Sequence, residues 1–383
     1  NAVVALVAAA CHLLIFNMTW KRSRDLASTM FVVAVFAAGA AERWRGRPDV
    51  FSILFFIMMI GLLERREEKH AGLRYGGLAL IWINFHPGAI IMPVFATVAA
   101  LCGQTRTRII QAACASIALL ITPRGPIELV RLVYHTVTTG SLVPEWRPLW
   151  QQPFDQFQSD WFLLLVVIGV FVSNKPWQNK RAAPGLALLM TIRSYRLSYM
   201  LMAPVWLSTT PNPSVRRRQT FAVLAAVLIL WVPVTKRWGA FARSRDLGAS
   251  PWFGIYEPAY PVGSTDFIES RKLKGKLFHP VGWGGYLGSR LAPRNLSAHD
   301  GRISEWGYDL AKELLQFKTP EERERIRAKL EFEIAVVSPG LFQGKELEQY
   351  GGRWRPVYAD NLGAVYIDTK GPNWLINKSC LGR

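Results

Sequence analysis

Apolar residues fall in long blocks over the first 236 positions and in short alternating groups over the rest. The charge-free stretches are 1–20, 26–41, 50–63, 75–105 (where His86 alone ionises near neutral pH), 109–123, 161–174, 182–192, 197–215 and 219–235. A helix crossing the hydrocarbon of a bilayer needs about 20 apolar residues and tolerates about 17. Several of these runs are shorter, but short helices still span when tilted among neighbours, with flanking Arg and Lys reaching for the interface. One short run would suit the buried helix of a water-soluble core. A long succession of them does not.

Two stretches carry internal breaks. Residues 75–105 are too long for one span and are interrupted at Asn84-Phe85-His86-Pro87-Gly88, where Pro87 removes a hydrogen-bond donor and Gly88 relaxes the backbone. Residues 182–209 are split by Arg193-Ser194-Tyr195-Arg196. The pattern predicts an α-helical polytopic membrane domain of about ten transmembrane helices over residues 1–236, followed by a small α/β soluble domain over 237–383. The chain opens at Asn1 inside an apolar run without a methionine, so the pattern reads as N-terminally truncated.

In the second domain, residues 264–272 read as a helix. Leu277–Leu287 reads as a strand interrupted by Gly282, Gly284 and Gly285. Residues 305–317 and 320–330 read as helices, the latter opened by Thr319-Pro320-Glu321-Glu322, with Pro and acids in the first turn. Residues 332–338, 354–359 and 363–369 read as short strands. The expected architecture is a central sheet of four or five strands.

Charge changes the picture in one respect. The net charge of +19 raises the question of nucleic acid, since basic chains bind phosphate. Many of the cations instead occupy short loops between apolar runs, as the positive-inside rule requires, and no nucleic-acid partner is expected. Alternating loops give one side 17–27, 64–74, 104–108, 175–181 and 210–219, with Lys21, Arg22, Arg65, Arg66, Lys180, Arg216, Arg217 and Arg218 among their charges. That side is read as cytoplasmic. Loops 42–49, 84–88, 124–160 and 193–196 and the C-terminal domain then lie on the extracytoplasmic side. Cys11, Cys102 and Cys114 sit in apolar runs, where thiols pack as small hydrophobes. With Cys380 they form no CxxC pair, so neither a zinc site nor a disulfide framework is indicated.

Polar and ionisable residues at membrane depth mark functional sites, and the outer loops collect them. They hold Arg47, Asp49, Asn84, His86, Glu145, Arg193 and Arg196. Arg suits phosphate because its planar fork gives paired charge-assisted bonds. Each residue also has a plain structural alternative: His86 caps a helix end, Arg193 and Arg196 reach to the interface, Glu145 lies on a loop surface, and Arg47 marks a helix start. Residues 127–137 read as an amphipathic helix lying on the interface. In the second domain, Trp283, Gly284, Gly285, Tyr286, Asp300 and Arg302 stand out, with tight turns at a sheet edge as the alternative.

The order Arg47-Pro48, Trp82-x-Asn84-x-His86, Glu145-Trp146, the Arg193–Arg196 break, Tyr260-Pro261, Trp283-Gly284-Gly285-Tyr286-Leu287, Asp300-Gly301-Arg302 and Trp354-x-x-Val357-Tyr358-x-Asp360 resembles a set of bacterial polytopic proteins grouped with the GT-C glycosyltransferases, relatives of the dolichyl-phosphate-mannose mannosyltransferases. The resemblance covers roughly residues 40–370. The chain departs from the set's Asn-x-His-Gly-Gly at Pro87.

The resemblance implies a hexosyltransferase of the bacterial inner membrane. It would move a sugar from a polyprenyl-phosphate donor to a glycan, lipid or protein acceptor on the extracytoplasmic face. It also implies that the key catalytic acid follows the first span of the family, upstream of Asn1. Arg47, Asn84, His86, Arg193 and Arg196 would contact phosphate or sugar. Asp49 and Glu145 are the remaining carboxylates on that face, offered for the acceptor or for a divalent cation such as Mg or Mn. Two other classes stay open: a multi-pass transporter, to which broken spans are common, and a non-catalytic membrane protein of envelope polysaccharide assembly.

Overall fold

The computed structural model describes residues 2–41, 43–44, 48–64, 70–103, 106–122, 125–139, 148–151, 154–173, 182–193, 195–236, 260–299, 325–326, 328–338 and 353–371. The chain is mostly helical, with one small mixed sheet, and divides into two compact units, Asn1–Gly239 and Ala240–Arg383.

In the first unit the helices are α1 (Ala2–Ser23), α2 (Leu26–Ala40), α3 (Asp49–Glu64), α4 (Ala71–Phe85), α5 (Ile91–Gly103), α6 (Arg106–Leu119), α7 (Gly125–Thr139), α8 (Phe154–Ser173), α9 (Ala182–Arg193), α10 (Met202–Ser208) and α11 (Val215–Lys236). Arg24 takes a left-handed conformation (φ 50°), so two residues suffice to turn α1 into α2. Asp25 caps the new helix by accepting from Ser28 N and Ser28 Oγ, both at 2.8 Å, the usual task of an acidic N-cap.

Both predicted breaks are present. After Phe85 the chain makes a 3₁₀ turn, Pro87–Ile90, and continues as α5. The Tyr75 hydroxyl donates to Met92 O at 2.9 Å, so the turn runs back along α4 before α5 begins. After Arg193 a 3₁₀ segment, Tyr195–Leu201, leads into α10. Thr191 Oγ1 contacts both Ala187 O and Leu197 O at 3.0 Å, which ties the break together.

One helix among the described residues, Ala2–Ser23, is long and apolar enough to cross a membrane. Leu26–Ala40, Asp49–Leu63, Pro87–Leu101 and Leu197–Leu207 are apolar but shorter. A helix of 15 residues, such as α2, is about 22 Å long at 1.5 Å per residue, against about 30 Å of hydrocarbon.

The interior of this unit is apolar, with Phe31, Phe36, Phe56, Trp82 and Phe95 buried, yet large aliphatic side chains also face outward. Leu6, Leu73, Leu101, Ile117, Leu165, Leu189 and Leu230 are 61–73% exposed. Ser23, Ser28, Thr29, Ser52, Gln111, Thr191 and Ser198 are buried. Helices α4 and α6 pack closely. A Cβ on Gly76 would come 2.9 Å from Cys114 Cβ, and one on Gly72 would come 2.5 Å from Ile110 Cγ2. This Gly-xxx-Gly spacing lets backbones approach closely, as helices in lipid prefer.

The second unit holds α12 (Val262–Ser270), α13 (Gly284–Leu291) and strands β1 (Leu277–Phe278), β2 (Ile334–Val337), β3 (Trp354–Ala359) and β4 (Ala364–Asp368). The sheet order is β1-β2-β4-β3, with β1 parallel to β2 and the other pairs antiparallel. Alternation sorts the side chains. Ile334, Val336, Val365 and Ile367 pack with Ile268, Leu287 and Leu291 of the two helices. Ala335, Val337, Ala364 and Tyr366 pack on the other face with Phe332, Leu330 and Trp354.

The strand predicted over Leu277–Leu287 is corrected. Strand β1 ends at Phe278, and Gly284–Leu291 is helical. Pro280 cannot donate to a sheet ladder, and Tyr286, Leu287 and Leu291 point one apolar stripe at the sheet. Residues 305–317 lie outside the described residues, as does most of 320–330.

Candidate functional site

The ends of the helical bundle can be assigned from contacts. Met18, near the end of α1, meets the position a Cβ on Gly61 would take, near the end of α3. Gln111 Nε2, early in α6, donates to Leu62 O at 3.3 Å. With the two-residue turn into α2, these contacts put the starts of α2 and α6 beside the end of α3. The opposite end therefore carries the end of α2, the start of α3 and the end of α4.

At that end two groups meet His86 at one ring nitrogen, and a third orients one of them. Gly88 N–H donates to His86 Nδ1 at 3.0 Å, and Ser52 Oγ lies 2.9 Å from the same nitrogen. Trp82 Nε1–H donates to Ser52 Oγ at 2.9 Å. Because Nδ1 already accepts from Gly88, the Ser52 hydroxyl must donate to it. A neutral imidazole then carries its proton on Nε2 and acts there as a donor. Ser52 is buried with its oxygen taken by Trp82, so it positions the ring and is not a nucleophile. A Cβ on Gly88 would come 2.9 Å from His86 Nδ1 and 3.1 Å from Ser52 Oγ. The glycine therefore gives the backbone its close approach.

Asp49 opens α3, one turn before Ser52, where a carboxylate is favoured by the helix dipole. Positions i and i+3 share a helix face about 4.5 Å apart along the axis, so Asp49 lies one turn from the serine that holds His86. Asn84 is exposed and bonds back to Leu80 O at 2.8 Å. The break after α9 reaches the same end: Ser198 Oγ donates to Gly39 O at 2.6 Å, and the Tyr199 ring packs on Phe56 of α3 at 5.5 Å. Arg193 closes α9 and Arg196 lies in the 3₁₀ segment, but their side chains are not among the described ones. Arg47 and Glu145 lie outside the described residues.

The sequence reading passed over Ser52. It sits inside an apolar run, and the signal was a hydroxyl three residues after an Asp at a helix start. His86 takes the capping role given above as its plain alternative, accepting from Gly88 N–H.

In the second unit the singled-out residues mostly build structure. Tyr286 is buried, and Trp283 packs partly against the same core. Gly285 opens onto space, with nothing within 4 Å of where a Cβ would lie. Asp300 and Arg302 lie outside the described residues. Asp360 caps the β3–β4 hairpin, accepting from Leu362 N at 2.8 Å and Gly363 N at 2.7 Å, and from the Tyr358 hydroxyl at 2.9 Å. Burial, and then the bond to Asp360, push the Tyr358 phenol above its ordinary range. Arg290 bridges Asp266 and Glu269, both at 2.9 Å. These bonds hold its guanidinium charged.

A histidine cluster here went unread in the sequence. His279 and His299 are buried and stack at 5.0 Å, and Ser297 Oγ lies 2.7 Å from His279 Nε2. Its signal was the His279-Pro280 step at the end of a strand. Among the described residues, no group of three or more His, Cys, Asp or Glu could hold a metal ion.

No family model matches this chain, and no curated protein matches it.

Proposed function

We propose that the first unit is a polytopic membrane domain and that the chain transfers a sugar from a polyprenyl-phosphate donor at the extracytoplasmic end of that domain. The observation that carries the membrane part is the outward-facing set of large aliphatic side chains on most of the helices, around an interior that is itself apolar. Water would not tolerate that arrangement over so many helices, whereas hydrocarbon favours it. Helix α1 supports it: 22% of its most apolar window is buried, unlike the core helix of a soluble protein. Helices α2–α6, α9 and α10 are shorter than an independent crossing, and each broken segment is read as two crossings, the second lengthened by its 3₁₀ part, Pro87–Ile90 or Tyr195–Leu201.

The sugar-transfer part rests on the GT-C resemblance and on the bundle end just described. There Asp49, the fixed imidazole of His86 and the break bearing Arg193 and Arg196 belong to one end of the helical unit. Departing phosphate requires cations, and an acceptor hydroxyl requires a carboxylate to take its proton. Asp49 and Glu145 are the carboxylates that this reading offers for the acceptor.

The test is transfer of labelled hexose from polyprenyl phosphate by the full-length protein in proteoliposomes. Arg193→Ala with Arg196→Ala is expected to lower turnover at least about a hundredfold, and His86→Ala less. Unchanged transfer in the arginine variant would overturn the phosphate assignment. Substrate crossing the bilayer without any glycosidic bond forming would favour a transporter, the reading that the two broken helices also suit. Recovery of the protein in the aqueous phase without detergent would end the membrane reading.

A further inference from the structure

A crevice of about 460 Å³ opens between the C-terminal half of α8 and the first turns of α11. Its size falls within the roughly 300–1,000 Å³ of small-ligand clefts. Its lining is of two kinds. Leu165, Val166, Phe221 and Leu224 make apolar walls, and Arg216 and Arg217 stand at the end where α11 starts. Among the described lining residues none is acidic.

Three consecutive arginines begin α11, and each is used differently. Arg218 Nε pairs with the buried Asp25 carboxylate at 3.2 Å, fastening the helix to the α1–α2 turn. Arg217 lies over the Phe221 ring at 5.3 Å and reaches Thr210 Oγ1 at 3.4 Å. Arg217 is only partly exposed, so its charge sits beside the apolar wall and not wholly in solvent. Arg216 is exposed. The first turn of a helix adds positive potential of its own. Beyond the arginines, Leu165, Val223 and Leu230 continue an exposed apolar path along the two helices.

We propose that this crevice holds one anionic phospholipid, its phosphate on Arg216 and Arg217 and an acyl chain along Leu165, Val166 and Leu224. Charge complementarity and the two-part lining select that occupant. A soluble anion would leave the apolar walls bare, and a net-neutral lipid would meet two guanidinium groups with no net charge. The inference rests on the membrane reading, with the 210–219 loop on the cytoplasmic side, where anionic lipids collect. It concerns a lipid that stays bound and is separate from the sugar donor.

The experiment uses the whole chain in detergent, titrated with short-chain phosphatidylglycerol, phosphatidylcholine or inorganic phosphate while the thermal unfolding midpoint is followed. Phosphatidylglycerol is expected to raise the midpoint saturably, and the other two to leave it in place. Arg216→Gln with Arg217→Gln is expected to weaken the phosphatidylglycerol response about tenfold or more. Gly169 also lines the crevice, and a Cβ there would meet nothing within 4 Å. Gly169→Leu therefore fills the space without touching the arginines. It is expected to abolish the response and to keep the midpoint in lipid-free detergent.

Equal responses to the two lipids would overturn the proposal. So would an inorganic-phosphate response equal to that of phosphatidylglycerol, or a response that survives Gly169→Leu. All three outcomes leave the protein detergent-dependent, so they are distinct from failure of the membrane reading.

Discussion

Ser198 donates its hydroxyl proton to the carbonyl oxygen of Gly39 at 2.6 Å, and the two backbones meet there without a side chain between them. A Cβ on Gly39 would come 2.5 Å from Ser198 O and 3.2 Å from Tyr199 Cα. Both neighbours are backbone, so no rotamer change relieves the clash. Gly39→Ala is expected to cost about 1–3 kcal/mol as overpacking. Ser198→Ala, which loses one hydrogen bond, is expected to cost about 1 kcal/mol. Thermal unfolding in detergent ranks the two. If Gly39→Ala were neutral, the close approach would be wrong.

Ser52→Ala removes the acceptor of a fully buried indole N–H and the donor that fixes His86. A buried donor left without a partner costs about 1–3 kcal/mol. The expected outcome is a lower unfolding midpoint together with altered Trp82 fluorescence. Retention of both would show that Trp82 does not depend on Ser52.

Helix α7 exposes Ile127, Val130 and Tyr134 along one stripe, with Glu128 and Arg131 paired beside it. An interfacial helix buries such a stripe among headgroups and upper acyl chains. A bimane label on Val130→Cys, in a background freed of the other cysteines, is expected to be quenched by lipids brominated near the headgroup and not by an aqueous quencher. The reverse pattern would place this face in water.

Alkaline pH acts on the second unit through Tyr358. The folded state raises its pKa, by burial first and by the bond to Asp360 second. A group whose folded pKa is raised contributes stability that is complete below the unfolded value, about 10 for tyrosine. That contribution is lost as pH rises through the folded value. Stability is therefore expected to fall above about pH 10, and the fall is expected to be smaller in Tyr358→Phe. Identical alkaline unfolding curves for the two proteins would remove Tyr358 from the transition.

How much of this was legible in the sequence depends on the kind of signal. Both helix breaks were, because Pro87 and the Arg193–Arg196 cluster interrupt apolar runs in a way few structures tolerate. Three of the strand groups were, because Ile334–Val337, Trp354–Ala359 and Ala364–Asp368 are short segments rich in Val, Ile, Tyr or Trp bounded by turn residues. The segment after Phe278 was not. Its glycines read as a broken strand, and only packing of Tyr286 and Leu287 on the sheet makes it helical. At the candidate site, His86 announced itself by being ionisable inside an apolar stretch. Ser52 did not, since a lone serine in such a stretch is common and its value lies in facing Trp82 and His86 across the α3–α4 contact.

Gly72 and Gly76 leave a strip of bare backbone on α4 that α6 covers, and α5 intervenes between them in the chain. During synthesis the strip is made long before its cover. A nascent chain released before residue 106 would carry an unsealed groove. One released after Leu119 would carry the closed clasp. Closure of this part of the helical unit is thus set by the arrival of α6.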